Sequence, residues 1–104
     1  MTAPSIQFDI YIAGDYNHAK QILQTYVQAG ECVSVSKCDY IYKYGCESGV
    51  KVTLINYPRF PRSEDDLFSV AKDIGYLLMS QLAQGSYTIT GPDTSYFYDR
   101  RDYK

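Results

Sequence analysis

Apolar residues alternate along Ser5–Ala13, with Ile6, Phe8, Ile10 and Ile12 on one side and Gln7, Asp9 and Tyr11 on the other. A period of two belongs to a strand with one buried face. Gly14-Asp15 breaks the pattern, and Asp15 is placed to cap the next element by accepting backbone N–H groups. From Tyr16 to Ala29 the spacing becomes helical. Ala19, Ile22, Leu23, Tyr26 and Val27 form one apolar stripe opposite Lys20, Gln21, Gln24 and Gln28, and Gly30 follows as a left-handed terminator.

Glu31–Lys37 returns to alternation, with Val33 and Val35 facing one way and Ser34 and Ser36 the other. The phase then falters, because the bulky run Tyr40, Tyr42, Tyr44 is even-numbered. Either these tyrosines lie on the face away from the helices or a bulge turns them inward, and the first is simpler. Gly45-Cys46-Glu47-Ser48-Gly49 supplies two glycines for a hairpin loop. In Val50–Tyr57, Val50, Val52 and Leu54 share one face, while Ile55 and Tyr57 make the second face partly apolar, which predicts a central strand.

Pro58 and Pro61 bar further ladder pairing. Ser63 is an N-cap candidate, and Glu64, Asp65 and Asp66 fill a first helical turn where the helix dipole favours acids. Leu67, Val70, Ala71, Ile74, Leu77, Leu78 and Leu82 line one side of Glu64–Ala83. Gly75 inside this helix costs up to about 1 kcal/mol against alanine, which predicts a close backbone approach to the sheet. Gly85 ends the element, Ser86–Thr90 is a short strand, and Ser95–Tyr98 pairs back after a Gly91-Pro92-Asp93 turn. Asp99–Lys104 reads as a frayed, mixed-charge tail.

Strand, helix, hairpin, helix, strand and an added hairpin strand predict an α+β domain over residues 1–98. The matching architecture is a ferredoxin-like βαββαβ two-layer sandwich, with two helices on one face of an antiparallel sheet. The other face, carrying Asp9, Tyr11, Ser34, Thr53, Ile55 and Tyr57, then meets solvent, a partner or another copy, and a homo-oligomer is expected.

At 104 residues the chain is of single-domain size, and 45% hydrophobic with 21% charged residues is globular composition. A formal net charge of −2 gives no general attraction to nucleic acid or anionic membranes. No bilayer span or secretory signal is visible, so a cytoplasmic location is expected. Cys32, Cys38 and Cys46 are odd in number and read as reduced thiols. Their spacing is not that of zinc ligands, and His18 is the only histidine, so no metal is expected. Twelve tyrosines beside four phenylalanines and no tryptophan are the outlier, because tyrosine suits half-buried sites and interfaces.

An enzyme needs a poised nucleophile, base or metal. His18 has no nameable partner, Cys46 has no neighbouring cation, and Asp65 and Asp66 are explained by a helix start. No phosphate-binding, dinucleotide or nucleophile-elbow motif occurs, so neither catalysis nor a cofactor is expected. The alternative is a nucleic-acid or nucleotide binder using the open face through Tyr11, Thr53 and Ile55. Ile10–Asp15 resembles the first-strand motif of RNA-recognition domains, but Val50–Tyr57 does not match the companion motif.

A protein-binding surface asks for less special chemistry. Tyr40, Tyr42 and Tyr44 on one strand, with Tyr57, Arg59, Phe60 and Arg62 at the exit of its neighbour, are of the types that dominate binding hot spots. Asp39–Pro61 and Gly91–Arg101 (GPDTSYFYDRR) resemble a group of small bacteriophage-encoded proteins of unassigned function. That resemblance implies a cytosolic accessory protein that binds a host or defence protein. The residues therefore predict a non-enzymatic protein-binding module, and the resemblance implies one of the phage-type inhibitor kind.

Overall fold

The computed structural model describes residues 1–103, the side chain of Ala29 aside. Its elements are β1 (Gln7–Ala13), α1 (Tyr16–Tyr26), β2 (Ser34–Tyr42), β3 (Gly45–Ile55), α2 (Glu64–Gln81), β4 (Ser86–Thr90) and β5 (Ser95–Asp99). Short 3-10 turns, Val27–Ala29 and Arg100–Tyr103, follow α1 and β5. One five-stranded sheet has the order β2-β3-β1-β4-β5, and every pairing is antiparallel. The architecture is α+β, with two helices packed on that sheet.

The alternation of β1 settles the layers. Phe8, Ile10 and Ile12 point into the core with Val50, Val52 and Leu54 of β3 and Tyr87 and Ile89 of β4. The helices close this core with Ala19, Ile22 and Leu23 from α1 and Leu67, Val70, Ala71, Ile74, Leu78 and Met79 from α2. Both N-caps are as expected: Asp15 accepts from the His18 N–H at 2.8 Å, and Ser63 accepts from the Asp66 N–H at 3.1 Å. Gly30, at φ 109°, takes the left-handed position after the Val27–Ala29 turn. At Gly75 a Cβ would overlap the Tyr87 ring, which is the predicted close approach of helix to sheet.

The ladder between β2 and β3 runs without a break from Ser34↔Thr53 to Tyr42↔Gly45. No bulge interrupts the phase, so Tyr40 and Tyr42 lie on the face away from the helices. The hairpin loop is placed differently from expectation. The turn is Lys43-Tyr44, with Tyr44 at φ 71°, and Gly45–Gly49 is strand. A tyrosine occupies the left-handed position usually given to glycine, which leaves both glycines free for the ladder.

The end of α2 also differs. Ala83, at φ 55°, is the left-handed residue. Its N–H reaches the Ser80 carbonyl at 3.3 Å and the Gln84 N–H reaches the Met79 carbonyl at 2.9 Å. These two bonds form a Schellman cap whose left-handed residue lies two positions before Gly85.

Residues expected to fray are tied down. Arg100 donates to the Gln84 carbonyl at 2.8 Å, and the Arg100 N–H donates to the Gly85 carbonyl at 2.8 Å. Tyr103 hydrogen-bonds the Tyr87 hydroxyl and packs on Tyr76. Lys104, the last residue of the expected tail, lies outside the described residues. At the other end, the buried Asn56 donates to the Pro4 carbonyl at 2.8 Å and accepts from the Arg62 N–H at 2.7 Å. It fixes both the N-terminal segment and the proline-flanked exit of β3. Among the described residues, no helix is long and apolar enough to cross a membrane.

Candidate functional site

The helices cover one face of the sheet, and the other face is concave where β1 ends. Cross-strand partners share a face, so the open side carries Tyr40 and Cys38 from β2, Glu47 and Gly49 from β3, Tyr11 and Ala13 from β1, and Thr88 from β4. Of these, Tyr11, Ala13, Tyr40, Glu47 and Thr88, with Ile12, Tyr87 and the Gln84-Gly85-Ser86 entry to β4, outline a trough of about 420 Å³. That volume falls within the range of small-molecule sites.

One small residue, Ala13, lines the trough, and a second, Gly49, lies under one of its walls. Ala13 and Gly49 are ladder partners on β1 and β3, and the Tyr40 ring lies against Gly49. A Cβ at Gly49 would overlap that ring and sit 2.5 Å from the Ile12 carbonyl oxygen. The Tyr40 hydroxyl donates to the Val50 carbonyl at 2.6 Å, which locks the ring down as one wall. Burial, with the neighbouring Cys38 thiol, pushes the Tyr40 phenol well above its ordinary value. Burial and Tyr103 do the same for Tyr87, so both stay protonated at neutral pH. Glu47, the ladder partner of Tyr40, is the single formally charged side chain among the described residues lining the trough.

A second recess of about 350 Å³ lies at the start of α1, between Asp15-Tyr16-Asn17 and the Lys37–Asp39 stretch of β2. The Lys37 ammonium sits 5.6 Å from the Tyr16 ring centroid. The two recesses flank the β1–α1 junction.

The residues singled out as a binding surface do not form one patch. Tyr40 belongs to the trough, Tyr42 is half exposed beside it, and Tyr44 stands at the hairpin tip with 95% of its surface exposed. Tyr57, Arg59, Phe60 and Arg62 lie beyond the opposite end of β3. That strand has eleven residues, and at about 3.3 Å per residue the two groups are separated by roughly 35 Å. Tyr57 makes a 3.4 Å contact from its hydroxyl to the Cys32 thiol. Arg59 stacks on the exposed Phe60, and Arg62 is held by Glu31 at 2.7 Å. On the alternative face, Tyr11 lines the trough, Thr53 donates to Asp9 at 2.6 Å, and Ile55 is the ladder partner of Gln7 at the far end. Gln84, Ser86, Thr88 and Glu47 were not expected at a site. Glu47 was missed because its segment reads as a loop when the glycines are taken as turn residues.

No protein-family model matches the chain, and no curated protein matches it. Solved structures do. One is a phage SAM lyase in its apo state, at a TM-score of 0.75 and 14% identity, covering 95% of this chain and 92% of that one. Another is a phage SAM lyase in complex with S-methyl-5'-thioadenosine, at a TM-score of 0.69 and 12% identity, covering 100% of this chain and 96% of that one. The fold is therefore one that phage proteins named as SAM lyases also have.

These matches overturn the expectation of a non-enzymatic protein-binding module and of no enzyme. The exclusion of catalysis rested on the lack of a nucleophile, base or metal set. That argument reaches only reactions in which the protein must supply such a group.

Proposed function

We propose that the chain cleaves S-adenosylmethionine (SAM) at the bond between its sulfonium sulfur and the side-chain carbon of the amino acid. One observation carries the reading: the fold match extends over nearly the whole of both chains, and one of the matched structures holds S-methyl-5'-thioadenosine. That molecule is what remains when this bond breaks and the electron pair stays on sulfur.

The carbon released needs an electron pair in exchange. If a protein base were to remove the adjacent, unactivated proton, an alkene would result. The trough offers one carboxylate and tyrosines held protonated, which is poor provision for that step. The substrate's own carboxylate instead closes on the carbon as the sulfur leaves, giving a five-membered lactone with atoms and charge balanced. The protein's part is then to hold the amino-acid portion folded back toward the sulfur, the proximity effect of an intramolecular reaction. Tyr40 and Tyr11 supply flat apolar walls, Glu47 the negative charge, and Gln84, Ser86 and Thr88 polar groups for a nucleoside. We also read the architecture as ferredoxin-like with β5 added at an edge. The order β2-β3-β1-β4, with helices between β1 and β2 and between β3 and β4, supports that reading.

The test is incubation of the purified chain with SAM and separation of the products by chromatography with mass detection. S-methyl-5'-thioadenosine and the amino-acid lactone should appear well above the rate of SAM decay without protein. SAM lost no faster than in the blank sinks the proposal.

A further inference from the structure

We infer that Glu47 is the residue by which the trough prefers a charged centre at the substrate's sulfur position over a neutral thioether. The inference rests on the SAM-cleaving reading and assigns the specificity of that site.

The argument is one of charge. Among the described residues lining the trough, Glu47 alone is formally charged, and no lysine or arginine shares the lining. Lys51, four positions further along the same face, does not line it. A lone carboxylate opposite a tyrosine ring presents two features that attract an onium ion, a negative charge and the electron-rich face of an aromatic ring. Tyr40 and Glu47 are ladder partners, so their side chains rise side by side from neighbouring strands. The Tyr40 ring is fixed by Gly49 and the Val50 carbonyl and has little freedom to turn away. SAM carries a positive sulfur and S-methyl-5'-thioadenosine does not. The pair would therefore hold the substrate and lose its grip once the sulfur is neutral, which clears the product.

Two probes isolate that charge. Sinefungin bears an amine in place of the sulfonium, and S-adenosylhomocysteine has a closely similar skeleton with a neutral sulfur. Calorimetric titration of the wild-type chain should show tighter binding of sinefungin. Glu47→Gln should weaken sinefungin roughly two- to five-fold, the range for a charge pair at an exposed site, and leave S-adenosylhomocysteine unchanged. Glu47→Asp should recover part of the preference. Glu47 is exposed, so the variants should melt with the wild type, and a lowered melting temperature would mark a structural effect instead. If both probes bind but Glu47→Gln weakens them equally or neither, the inference is overturned while the SAM-cleaving reading stands. If neither probe binds the wild-type chain, that reading fails and takes the inference with it.

Discussion

The ring of Tyr40 lies against Gly49 of the neighbouring strand, and its hydroxyl is fastened to the carbonyl of Val50 at 2.6 Å. The glycine removes the side chain that would hold the ring away, and the hydrogen bond keeps the ring where the glycine admits it. The wall that Tyr40 gives the trough thus depends on a neighbour that has no side chain.

Gly49→Ala should destabilise the chain by about 1–3 kcal/mol, the usual range for a forced overlap in a packed region. Backbone lies on one side of the new methyl group, so Tyr40 must move. Tyr40→Phe, which keeps the ring and loses one hydrogen bond, should cost about 1 kcal/mol. Urea unfolding midpoints would compare them, and an unchanged midpoint for Gly49→Ala would show that the ring is not held there.

Asn56→Ala should lower stability by about 2–3 kcal/mol. Both the Pro4 carbonyl and the Arg62 N–H lose their partner next to a buried position, and an unsatisfied buried group costs about 1–3 kcal/mol. Faster proteolysis at both the N-terminal segment and the Pro58–Pro61 loop should accompany the loss.

Ala83→Gly should raise stability by roughly 0.5–1 kcal/mol. Ala83 is exposed and left-handed, a conformation that a Cβ disfavours and glycine adopts freely. The two Schellman bonds stay in place, so thermal melting should show an upward shift without change in circular dichroism.

Alkaline pH should unfold the protein through its tyrosines. Tyr40 and Tyr87 have phenols raised in the folded state, chiefly by burial. Their contribution is fully present below the unfolded-chain value near 10. It falls as pH rises from there toward the folded values, because the unfolded chain gives up protons that the native state retains. The slope is about 1.4 kcal/mol per pH unit for each such tyrosine. Tyrosinate absorbance followed with and without denaturant should show native tyrosines that ionise only on unfolding. A native titration curve that overlays the denatured one would disprove this.

Much of the fold is legible in the chain because burial imposes period. Ile6 through Ile12, Val50 through Leu54 and the Leu67–Leu78 stripe each have one face to hide, and each lies where its spacing puts it. Asp15, Ser63 and Gly75 were readable because each answers a local demand, an N–H to satisfy or a ring to admit. The Lys43-Tyr44 turn was not readable. Two glycines nearby offered a cheaper bend, and only the register of two whole strands assigns the turn to a tyrosine at positive φ.

The site was less legible for the same reason. Tyr11 was marked as a ligand-face residue and Tyr40 as an interface residue, but nothing in the order of residues brings them together. Their meeting with Glu47 and Thr88 depends on β1 lying between β3 and β4, which is a property of the sheet. Tyr57 and Arg59 read as one surface with Tyr42 because they follow at the exit of the neighbouring strand. A strand is long, and its two ends face different surroundings.

The place of β1 at the centre of the sheet has a consequence for how the chain reaches this state. Strand β1 has both of its edges paired in the native structure, one to Gly49–Ile55 and the other to Thr88–Thr90. Its second partner begins only at Ser86, so the strand waits for more than seventy further residues before that edge is closed. Distant pairings of this kind slow folding, and an unpaired, strongly apolar strand is prone to wrong partners in the interval. Yield on rapid synthesis should therefore be governed by this delay, and slower expression at lower temperature should recover more native protein.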